Sequence, residues 1–341
     1  MVTLSETVRE RRPLVVLLGP TASGKSRIAV QVAKRIGTEV LAADSRQVYR
    51  GMDLGTDKPT MEERQGVPHR LIDLADPDQA FNTGWYRQAA LAEIDRLYAT
   101  KQIPLVVGGT GLYIRTLVRG LCPAPPSDPH VRAELMTIGK ERGRQHLYAQ
   151  LAQVDPDTAA RLHPNDEAKV MRALEVHRLS GQPISAMHRW HAFQETPFSA
   201  LLIGLHRPRE LLYRRIEERI DSQLAHGLVE ETRSLLERGF GRHSGAMKGL
   251  GYRQVAAYLA GENGYEEMVR RFKRDTRRFA KRQMTWFRKE PGIQWVSVED
   301  SESPGRTAGR VVLLIERFLE SLEESIPSGA RRPAALGERS V

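Results

Sequence analysis

The sequence predicts an α/β fold in which helices cover a parallel β-sheet. Apolar, strand-like runs alternate with helical patterns, as the crossover connections of a parallel sheet require. The strand-like runs lie at residues 14–18, 39–43, 103–107 and 198–205. The helical patterns that follow them include residues 26–36, 85–100 and 209–223. Residues 228–289 are again helical in pattern, with breaks at 239–251 and 261–264.

A helical domain is predicted to interrupt this core. After the Cys-Pro-Ala-Pro-Pro segment at 122–126, helical patterns occur at 130–142, 146–153, 158–162 and 167–180, without a strand pattern before about residue 196. We therefore expect a discontinuous core at 13–122 and 198–325 and a helical insertion domain at 123–197. Residues 1–12 and 326–341 are expected to be disordered.

Composition limits the class of protein. The 341 residues are 40% hydrophobic and 28% charged, which is typical of a globular protein. No apolar run approaches the ~20 residues of a membrane span, and the first twelve residues lack a secretory apolar segment, so we expect a cytoplasmic monomer without membrane contact. The single cysteine, Cys122, indicates neither an internal disulfide nor zinc. The net charge of +10 is consistent with a polyanionic partner, although a merely basic surface is an alternative.

A phosphate-binding loop is the strongest motif. The pattern G-x-x-x-x-G-K-[ST] occurs directly after the first strand and before the first helical pattern, as Gly19, Pro20, Thr21, Ala22, Ser23, Gly24, Lys25 and Ser26. Its backbone N–H groups and Lys25 would hold a di- or triphosphate, and the Ser26 hydroxyl could hold Mg²⁺. This motif makes the predicted fold P-loop NTPase-like. A glycine-rich turn without a ligand is the alternative.

Two further loops follow predicted strands. Asp44 comes directly after the second strand, at the sheet edge where α/β proteins bind ligands, and is a candidate general base. A helix cap or an indirect Mg²⁺ contact is the alternative for Asp44. The cluster Gly108-Gly109-Thr110-Gly111 follows the third strand, and Thr110 could reach the same crevice, although such a cluster is often only a tight turn.

The helical pattern at 266–289 is strongly basic, with ten Lys or Arg residues and three acidic ones. Phe272, Phe279 and Trp286 recur every seven residues and are predicted to form one buried stripe. Three cations of the same period lie on the opposite face and are predicted to meet phosphates: Arg274, Lys281 and Arg288. A solvated charged face is the alternative. The basic loop at 248–253 opens another helix and could reach a diphosphate or simply end the preceding segment.

Taken in order, these motifs resemble those of the bacterial tRNA dimethylallyltransferases, also called tRNA isopentenyltransferases. The resemblance covers roughly residues 13–300. Its motifs are Gly-Pro-Thr-Ala-Ser-Gly-Lys-Ser at 19–26, Asp44-Ser45, Gly-Met-Asp-Leu-Gly-Thr at 51–56 with Lys58-Pro59, Pro68-His69 with Leu71, Gly-Gly-Thr at 108–110, His-Pro-Asn-Asp at 163–166, Gly-Tyr-Arg at 251–253 and Lys-Arg-Gln-Met-Thr-Trp at 281–286. The family implies transfer of a dimethylallyl group from dimethylallyl diphosphate to N6 of adenosine 37, beside the tRNA anticodon, with Mg²⁺.

The resemblance also implies roles for individual residues. Asp44 would contact the adenine N6, Thr110 would lie near the reacting centre, and the phosphate loop with Arg253 would hold the diphosphate and, through Ser26, Mg²⁺. The insertion would clamp the anticodon stem. The implied tRNA contacts are Asp44, Ser45, Arg46, Gln47, Arg132, Ala168, Lys169, Val170, Met171, Arg172, Lys248, Gly249, Leu250, Gly251, Tyr252, Arg253, Lys281, Arg282, Gln283, Met284, Thr285, Trp286, Phe287 and Arg288. The family pattern differs from this chain at Arg46, Gln47 and residues 168–171.

Two other classes of function fit part of the sequence. A kinase acting on a small metabolite would use the same loop for ATP and Asp44 to deprotonate a hydroxyl. An RNA-binding protein that uses a nucleotide as a switch would fit the positive charge. The kinase does not need the long cationic helix at 266–289, and the switch leaves Asp44 and Thr110 without a role.

Overall fold

A computed structural model describes residues 3–192 and 194–325. Contacts divide the chain into two compact units, with boundaries after Val118 and after Pro197. These boundaries lie close to those expected for the insertion at 123–197. The disorder expected for 326–341 concerns residues outside the described part of the chain, as do Met1 and Val2.

The first unit contains one parallel sheet, in the order β3-β2-β4-β1-β5-β6. Its strands are β1 (Pro13–Leu18), β2 (Val40–Ala43), β3 (His69–Arg70), β4 (Leu105–Gly108), β5 (Ser199–His206) and β6 (Ile293–Ser297). Because all pairs are parallel, the carboxyl ends of the adjacent strands β2, β4 and β1 meet at one edge. This confirms the α/β prediction.

Most of the longer helices match the predicted helical patterns, but the sequence did not predict those at Met61–Arg64, Gly111–Arg119, Ile184–His191 and Pro304–Glu324. In chain order the helices are α1 (Glu6–Glu10), α2 (Lys25–Ile36), α3 (Met61–Arg64), α4 (Thr83–Ala99), α5 (Gly111–Arg119), α6 (Pro129–Arg142), α7 (Arg144–Val154), α8 (Pro156–Ala159), α9 (Glu167–Ser180), α10 (Ile184–His191), α11 (Arg209–Ala225), α12 (Leu228–Glu237), α13 (Tyr252–Leu259), α14 (Tyr265–Phe287) and α15 (Pro304–Glu324). Helices α6–α10 make up the second unit, in which the described residues form no strand.

The sequence did not predict the two outer strands. Strand β3 has only two residues, and four of the five residues of β6 are at least partly exposed. Neither therefore carries the continuous apolar run that marks β1, which is buried at every position. Edge strands lose that signal because only one of their sides meets another strand.

The predicted disorder of residues 1–12 is wrong for the described part of that segment. Helix α1 begins after Ser5, whose side chain accepts a hydrogen bond from the Val8 amide. Leu4 and Val8 are buried in the core that surrounds the sheet. Burial of these two apolar side chains offsets the conformational entropy that the segment loses on ordering. The charged residues around them hide this apolar pair in the sequence.

Two apolar cores stabilise the first unit. One surrounds β1 and includes α2 and α15, which pack against each other. The other lies among α11–α14 and includes Val48 and Met52 from the segment after β2. Helices α11 and α14, which both lie between β5 and β6 in the chain, are thereby brought beside the loops that follow β1 and β2.

Gly108 determines how closely β2 and β4 approach at their carboxyl ends. A Cβ atom on Gly108 would lie 2.1 Å from the Ala43 carbonyl oxygen, so no larger residue fits without moving the strands. The same carbonyl accepts a hydrogen bond of 3.1 Å from the Thr110 amide. The loop after β4 is thereby fixed against the residue that precedes Asp44.

The predicted aromatic stripe of α14 is only partly correct. Phe272 is buried, whereas Phe279 and Trp286 are half-buried and Phe287 takes the inner position near the end of the helix. A strict seven-residue repeat drifts by roughly 20° per heptad around a straight α-helix, so the buried face of α14 leaves the stripe. Of the predicted cations, Lys281 and Arg288 are exposed.

We expect Phe272→Ala to lower the free energy of unfolding by about 3–5 kcal/mol, because its side chain is 2% exposed and its removal leaves a cavity. Trp190→Ala is the matched control, since Trp190 is 79% exposed and should change stability by about 0.5 kcal/mol or less. Denaturant unfolding of both variants checks this. Equal stability losses would contradict the assignment of Phe272 to the core.

Candidate active site

The loop between β1 and α2 has the shape of a phosphate-binding turn. Gly24, with a φ of 91°, stands at the N-terminus of α2 in a conformation that favours glycine. The Lys25 ammonium folds back and donates a hydrogen bond of 2.7 Å to the Pro20 carbonyl. Ser26 is exposed in the first helical turn. A helix N-terminus with an adjacent lysine attracts anions, so the loop is suited to hold a diphosphate.

A cavity of about 470 Å³ lies against this loop; we call it the phosphate cavity. Its wall includes Thr21, Ala22, Ser23, Gly24, Lys25, Ser26, Asp44, Gln47, Val107, Gly108, Gly109, Arg215, Arg219, Phe279 and Gln283. Of the predicted phosphate-loop residues, Gly19 and Pro20 are buried and do not line the wall.

Burial lowers the pKa of Lys25 to about 8. The charge of Arg219 lowers it further, while Asp44 and Asp57 oppose both effects. Lys25 therefore carries its positive charge at neutral pH but begins to lose it in mildly alkaline solution. A bound anion would favour the charged form.

Asp44 and Thr110 are brought together as predicted from their positions after strands. Asp44 accepts a hydrogen bond of 2.8 Å from the Arg46 amide, and Thr110 Oγ1 accepts one of 2.9 Å from the Ser45 amide. The first contact caps a turn rather than the helix considered for Asp44, since residues 45–48 form a turn, and it uses only one carboxylate oxygen. The turn therefore orients the other oxygen of Asp44 without occupying it.

A second cavity of about 270 Å³ is lined by residues of the predicted tRNA-binding segments; we call it the acceptor cavity. Its wall includes Ser45, Arg46, Thr110, Lys248, Gly249, Leu250, Tyr252, Arg253, Phe272, Thr276, Phe279 and Arg282. Arg46, Lys248, Arg253 and Arg282 give this wall a positive charge. A polyanion could therefore bind at its entrance.

The two cavities share part of their walls. The six shared residues are Thr21, Asp44, Thr56, Asp57, Arg219 and Phe279. Asp44 thus lies between a space lined by the phosphate loop and a space lined by basic residues. Such an arrangement suits transfer of a group from a phosphate ester in one cavity to an acceptor in the other.

Helix α11 supplies cations that the sequence analysis did not identify. Arg219 donates hydrogen bonds of 2.6 Å to Thr21 Oγ1 and 3.0 Å to Asp57, and Arg215 also lines the phosphate cavity. Arg215, Arg219 and Ser222 follow one another at i, i+4 and i+7, so they share one helix face. That spacing was available in the sequence. Only the fold shows that this face meets the phosphate loop.

The buried Arg207, which follows β5, supports the loop from behind. Its Nε donates a hydrogen bond of 3.0 Å to the Ser23 carbonyl, and its Nη1 donates one of 3.2 Å to the Glu299 carbonyl. The guanidinium therefore ties the phosphate loop to the segment after β6. This residue also was not identified from the sequence.

Gln283 has a different contact from the tRNA contact implied by the family resemblance. Its side chain is 8% exposed. Its oxygen accepts a hydrogen bond of 2.9 Å from the Thr21 amide, and its nitrogen donates one of 2.9 Å to the Gly109 carbonyl. Gln283 therefore joins the phosphate loop to the loop after β4, and we no longer assign it to tRNA.

The loop at 51–58 borders both cavities and is held from α12 and α13. Glu231 accepts hydrogen bonds of 3.2 and 2.9 Å from the Asp53 and Leu54 amides, and a further one of 2.5 Å from the Tyr252 hydroxyl. Burial, followed by the charge of Glu231, raises the pKa of Tyr252. Tyr252 thus acts mainly in this internal network, although its ring borders the acceptor cavity.

Arg253 is separated from its predicted diphosphate partners in this structure. It lines the acceptor cavity rather than the phosphate cavity, and it pairs with Asp275 at 2.9 Å. Arg274 pairs with the same carboxylate at 3.0 Å. Diphosphate binding by Arg253 therefore stays a prediction. It would require Arg253 to exchange its ion pair with Asp275 for a contact with the diphosphate.

Other predicted tRNA contacts divide by exposure. Lys281, Arg282 and Thr285 on α14 and Arg288 at its C-cap are exposed, and Met284 and Trp286 are half-buried. Phe287 is buried in the core around the sheet. Gly251 lies close under Phe272, whose ring would meet an added Cβ at 3.0 Å. The side chain of Phe287 is therefore unavailable to RNA, and we withdraw that assignment.

In the second unit, Arg132 and Arg172 surround a buried carboxylate. Their guanidinium groups lie 3.1 and 2.7 Å from Glu175, which also accepts a hydrogen bond from Ser127. Burial alone would raise the pKa of Glu175, but the hydrogen bonds, first that of Arg172, lower it. Both arginines therefore have a structural role, whatever their role toward RNA.

The other predicted residues of this unit lie on α9. Ala168 and Lys169 are exposed, and Met171 is half-buried. Val170 is buried in the core of the unit, so we withdraw it as an RNA contact. Cys122, in the same unit, is a buried free thiol.

Mg²⁺ fits the oxygen donors of the phosphate cavity. Ser26, Asp44 and Asp57 all line it, and Mg²⁺ is commonly held by one or two carboxylates together with substrate phosphates and water. Within residues 3–192 and 194–325, no cluster of three or more His, Cys, Asp or Glu side chains forms a metal site. A Mg²⁺ site here would therefore depend on oxygens from a bound phosphate group.

Comparison with known sequences identifies related proteins. A family model described as IPP transferase matches residues 47–290. The chain is 47% identical over 289 residues to the tRNA dimethylallyltransferase of Syntrophobacter fumaroxidans, covering 85% of this chain and 84% of the relative. It is 48% identical over 297 residues to that of Geobacter metallireducens, covering 87% and 94%.

Solved structures agree with the sequence comparison. The tRNA isopentenylpyrophosphate transferase of Bacillus halodurans matches with a TM-score of 0.69 and 36% identity, over 92% of this chain and 98% of that protein. A eukaryotic dimethylallyltransferase, described as acting on tRNA, matches with a TM-score of 0.79 and 26% identity, over 94% and 82%. The chain therefore belongs to the IPP transferase family.

Proposed function

We propose that this protein transfers a dimethylallyl group from dimethylallyl diphosphate to N6 of the adenosine at position 37 of tRNA. The observation that carries the proposal is the wall shared by the two cavities, where Asp44 lies between the phosphate loop and a basic acceptor cavity. Membership in the IPP transferase family, with relatives named tRNA dimethylallyltransferase, supports the same reaction.

The chemistry follows from the two cavities. The bond between C1 of the dimethylallyl group and the diphosphate oxygen breaks, and the diphosphate leaves with the electron pair. The adenine N6 forms a bond to C1 and loses a proton, which the Asp44 carboxylate accepts as general base. Lys25 and Arg219 stabilise the negative charge that develops on the leaving group. The Thr110 hydroxyl accepts a hydrogen bond from the Ser45 amide and so orients the turn that carries Asp44.

Mg²⁺ belongs to this proposal as the cofactor. Ser26 would hold it from the first turn of α2, together with diphosphate oxygens, and Asp57 could contribute a carboxylate. When bound, it would supply positive charge to the leaving group.

Binding of the anticodon stem-loop is assigned to the exposed cations of α14, to the basic wall of the acceptor cavity and to the second unit. The target base would have to leave the anticodon-loop stack to enter a cavity of this size. No helix within the described ranges has both the length and the apolar character needed to cross a membrane. A cytoplasmic location and a monomeric state remain predictions.

A small-metabolite kinase would also need the phosphate loop, but it is not favoured. Arg46, Lys248 and Arg282 line the adjoining basic cavity, which a small neutral acceptor would not require. The kinase would transfer phosphorus rather than carbon. Product analysis distinguishes the two, because only a prenyl transfer adds a dimethylallyl mass to adenosine.

We expect the protein to add a dimethylallyl group to adenosine 37 of unmodified tRNA when supplied with dimethylallyl diphosphate and Mg²⁺, and Asp44→Asn to slow this step by about 10²–10⁴-fold, because the general base is lost. Mass spectrometry of digested tRNA and single-turnover rates measure both. Affinities for both substrates should persist. Absence of product from the parent protein would refute the proposed function, whereas an unchanged rate in Asp44→Asn would leave Asp44 as a turn cap only.

We expect the affinity for dimethylallyl diphosphate to fall as pH rises through about 8, because Lys25 loses its charge there and binding must restore it. Above that pH the dissociation constant should rise by up to about tenfold per pH unit. Calorimetry from pH 6.5 to 9.5 measures this trend. Lys25→Met should bind more weakly and show a flatter profile. If the dissociation constant of Lys25→Met depended on pH as steeply as that of the parent protein, the titrating group would be one other than Lys25.

We expect the double variant Lys281→Gln/Arg288→Gln to bind tRNA more weakly. The slope of the logarithm of its binding constant against the logarithm of salt concentration should become shallower by up to about 0.7–0.9 per lost phosphate contact. Lys101→Gln/Arg317→Gln removes the same charge from exposed positions outside both cavity walls. Filter binding of tRNA over a salt series compares the pairs. Identical slopes in the two double variants would mean that α14 is merely solvated.

A further inference from the structure

Phe279 stands out at the junction of the two cavities. Of the six residues that line both cavities, it alone has a purely apolar side chain; the others are Thr21, Asp44, Thr56, Asp57 and Arg219. The sequence pattern placed Phe279 in the core, but its side chain is only half-buried. Apolar ring surface that stays in contact with water contributes no burial free energy, whereas a ligand that covers the ring would gain it.

The proposed reaction determines what must lie at this junction. The leaving diphosphate occupies the phosphate cavity, and the attacking N6 enters from the acceptor cavity. The carbon that passes between them, with the apolar chain attached to it, must therefore lie at the shared wall. Apolar side chains elsewhere belong to one cavity only, such as Val107 in the first and Leu250 in the second.

We propose that Phe279 packs against the dimethylallyl chain and limits the length of the prenyl group that the protein transfers. This inference rests on the proposed function. It makes Phe279 a specificity-determining residue for the prenyl diphosphate, a role separate from those of Asp44 and Lys25.

The position of the ring on α14 supports a fixed wall rather than a mobile one. Its neighbours Ala280 and Gln283 are buried, and Gln283 is bound at both ends to the loops after β1 and β4. The Arg282 guanidinium lies 5.8 Å from the centre of the Phe279 ring. Helix α14 therefore cannot shift the ring without disturbing the phosphate loop.

Removing the ring should open space for a longer substrate. Phe272 lies two turns earlier on α14 and lines the acceptor cavity with Leu250, so truncation of Phe279 would extend the junction toward an apolar surface. Geranyl diphosphate is one isoprene unit longer than dimethylallyl diphosphate and reacts by the same exchange of bonds, with diphosphate leaving and one proton passing to Asp44.

We expect Phe279→Ala to raise the ratio of kcat/KM for geranyl diphosphate to that for dimethylallyl diphosphate by about 10–200-fold, the range expected for steric selection in apolar pockets. Phe279→Trp should instead lower kcat/KM for dimethylallyl diphosphate, with tRNA affinity and melting temperature close to those of the parent protein. Leu313→Ala is the matched control, because Leu313 is 54% exposed and lies outside both cavity walls, and its ratio should equal the parent's.

The outcomes separate this inference from the proposed function. A parent protein that transfers neither prenyl group overturns the proposed function and the inference together. Transfer of dimethylallyl by the parent with an unchanged substrate ratio in Phe279→Ala overturns the inference alone. If Phe279 had a purely structural role, its truncation would lower kcat/KM for both substrates equally and leave their ratio unchanged. If Phe279→Ala fails to fold, an unaltered kcat/KM in Phe279→Trp overturns the inference.

Discussion

The site depends on a phosphate loop that is held in shape by side chains from distant parts of the chain. Arg207 binds the Ser23 carbonyl, Arg219 binds the Thr21 hydroxyl, and Gln283 binds the Thr21 amide. These three residues follow the loop by more than 180 positions in the sequence. The loop is thus encoded locally, but its rigidity is supplied by β5, α11 and α14. A binding-competent loop therefore requires the whole first unit to be folded.

Charge balance is the second constraint on this site. Lys25, Arg215 and Arg219 line the phosphate cavity together with Asp44 and Asp57. The carboxylates partly offset the desolvation of Lys25 and keep it charged near neutral pH. At the same time Asp57 holds Arg219 in place. The cavity is therefore prepared for an anion without accumulating unpaired positive charge, which would be costly in a partly buried site.

Sequence reasoning located the residues that follow strands. The phosphate loop, Asp44 and Thr110 could be predicted because a strand end fixes where the next residues point, and the parallel sheet brings these ends together. The roles of residues on helices were less accessible. Phe279 and Gln283 lie four residues apart on α14. Periodicity predicted that Phe279 belongs to the core, and the family resemblance implied a tRNA contact for Gln283. Only the folded structure shows that both side chains line the phosphate cavity.

The double role of α14 has a consequence for protein engineering. Lys281 and the C-cap residue Arg288 are exposed, whereas Gln283 and Phe279 line the phosphate cavity, so under the proposed function neighbouring positions would serve different substrates. Because their side chains point in different directions, libraries that vary the outward positions can explore new RNA partners while the catalytic chamber stays intact. Libraries at the inward positions can explore new alkyl donors. Two sets of positions on one helix could therefore be varied independently in redesign.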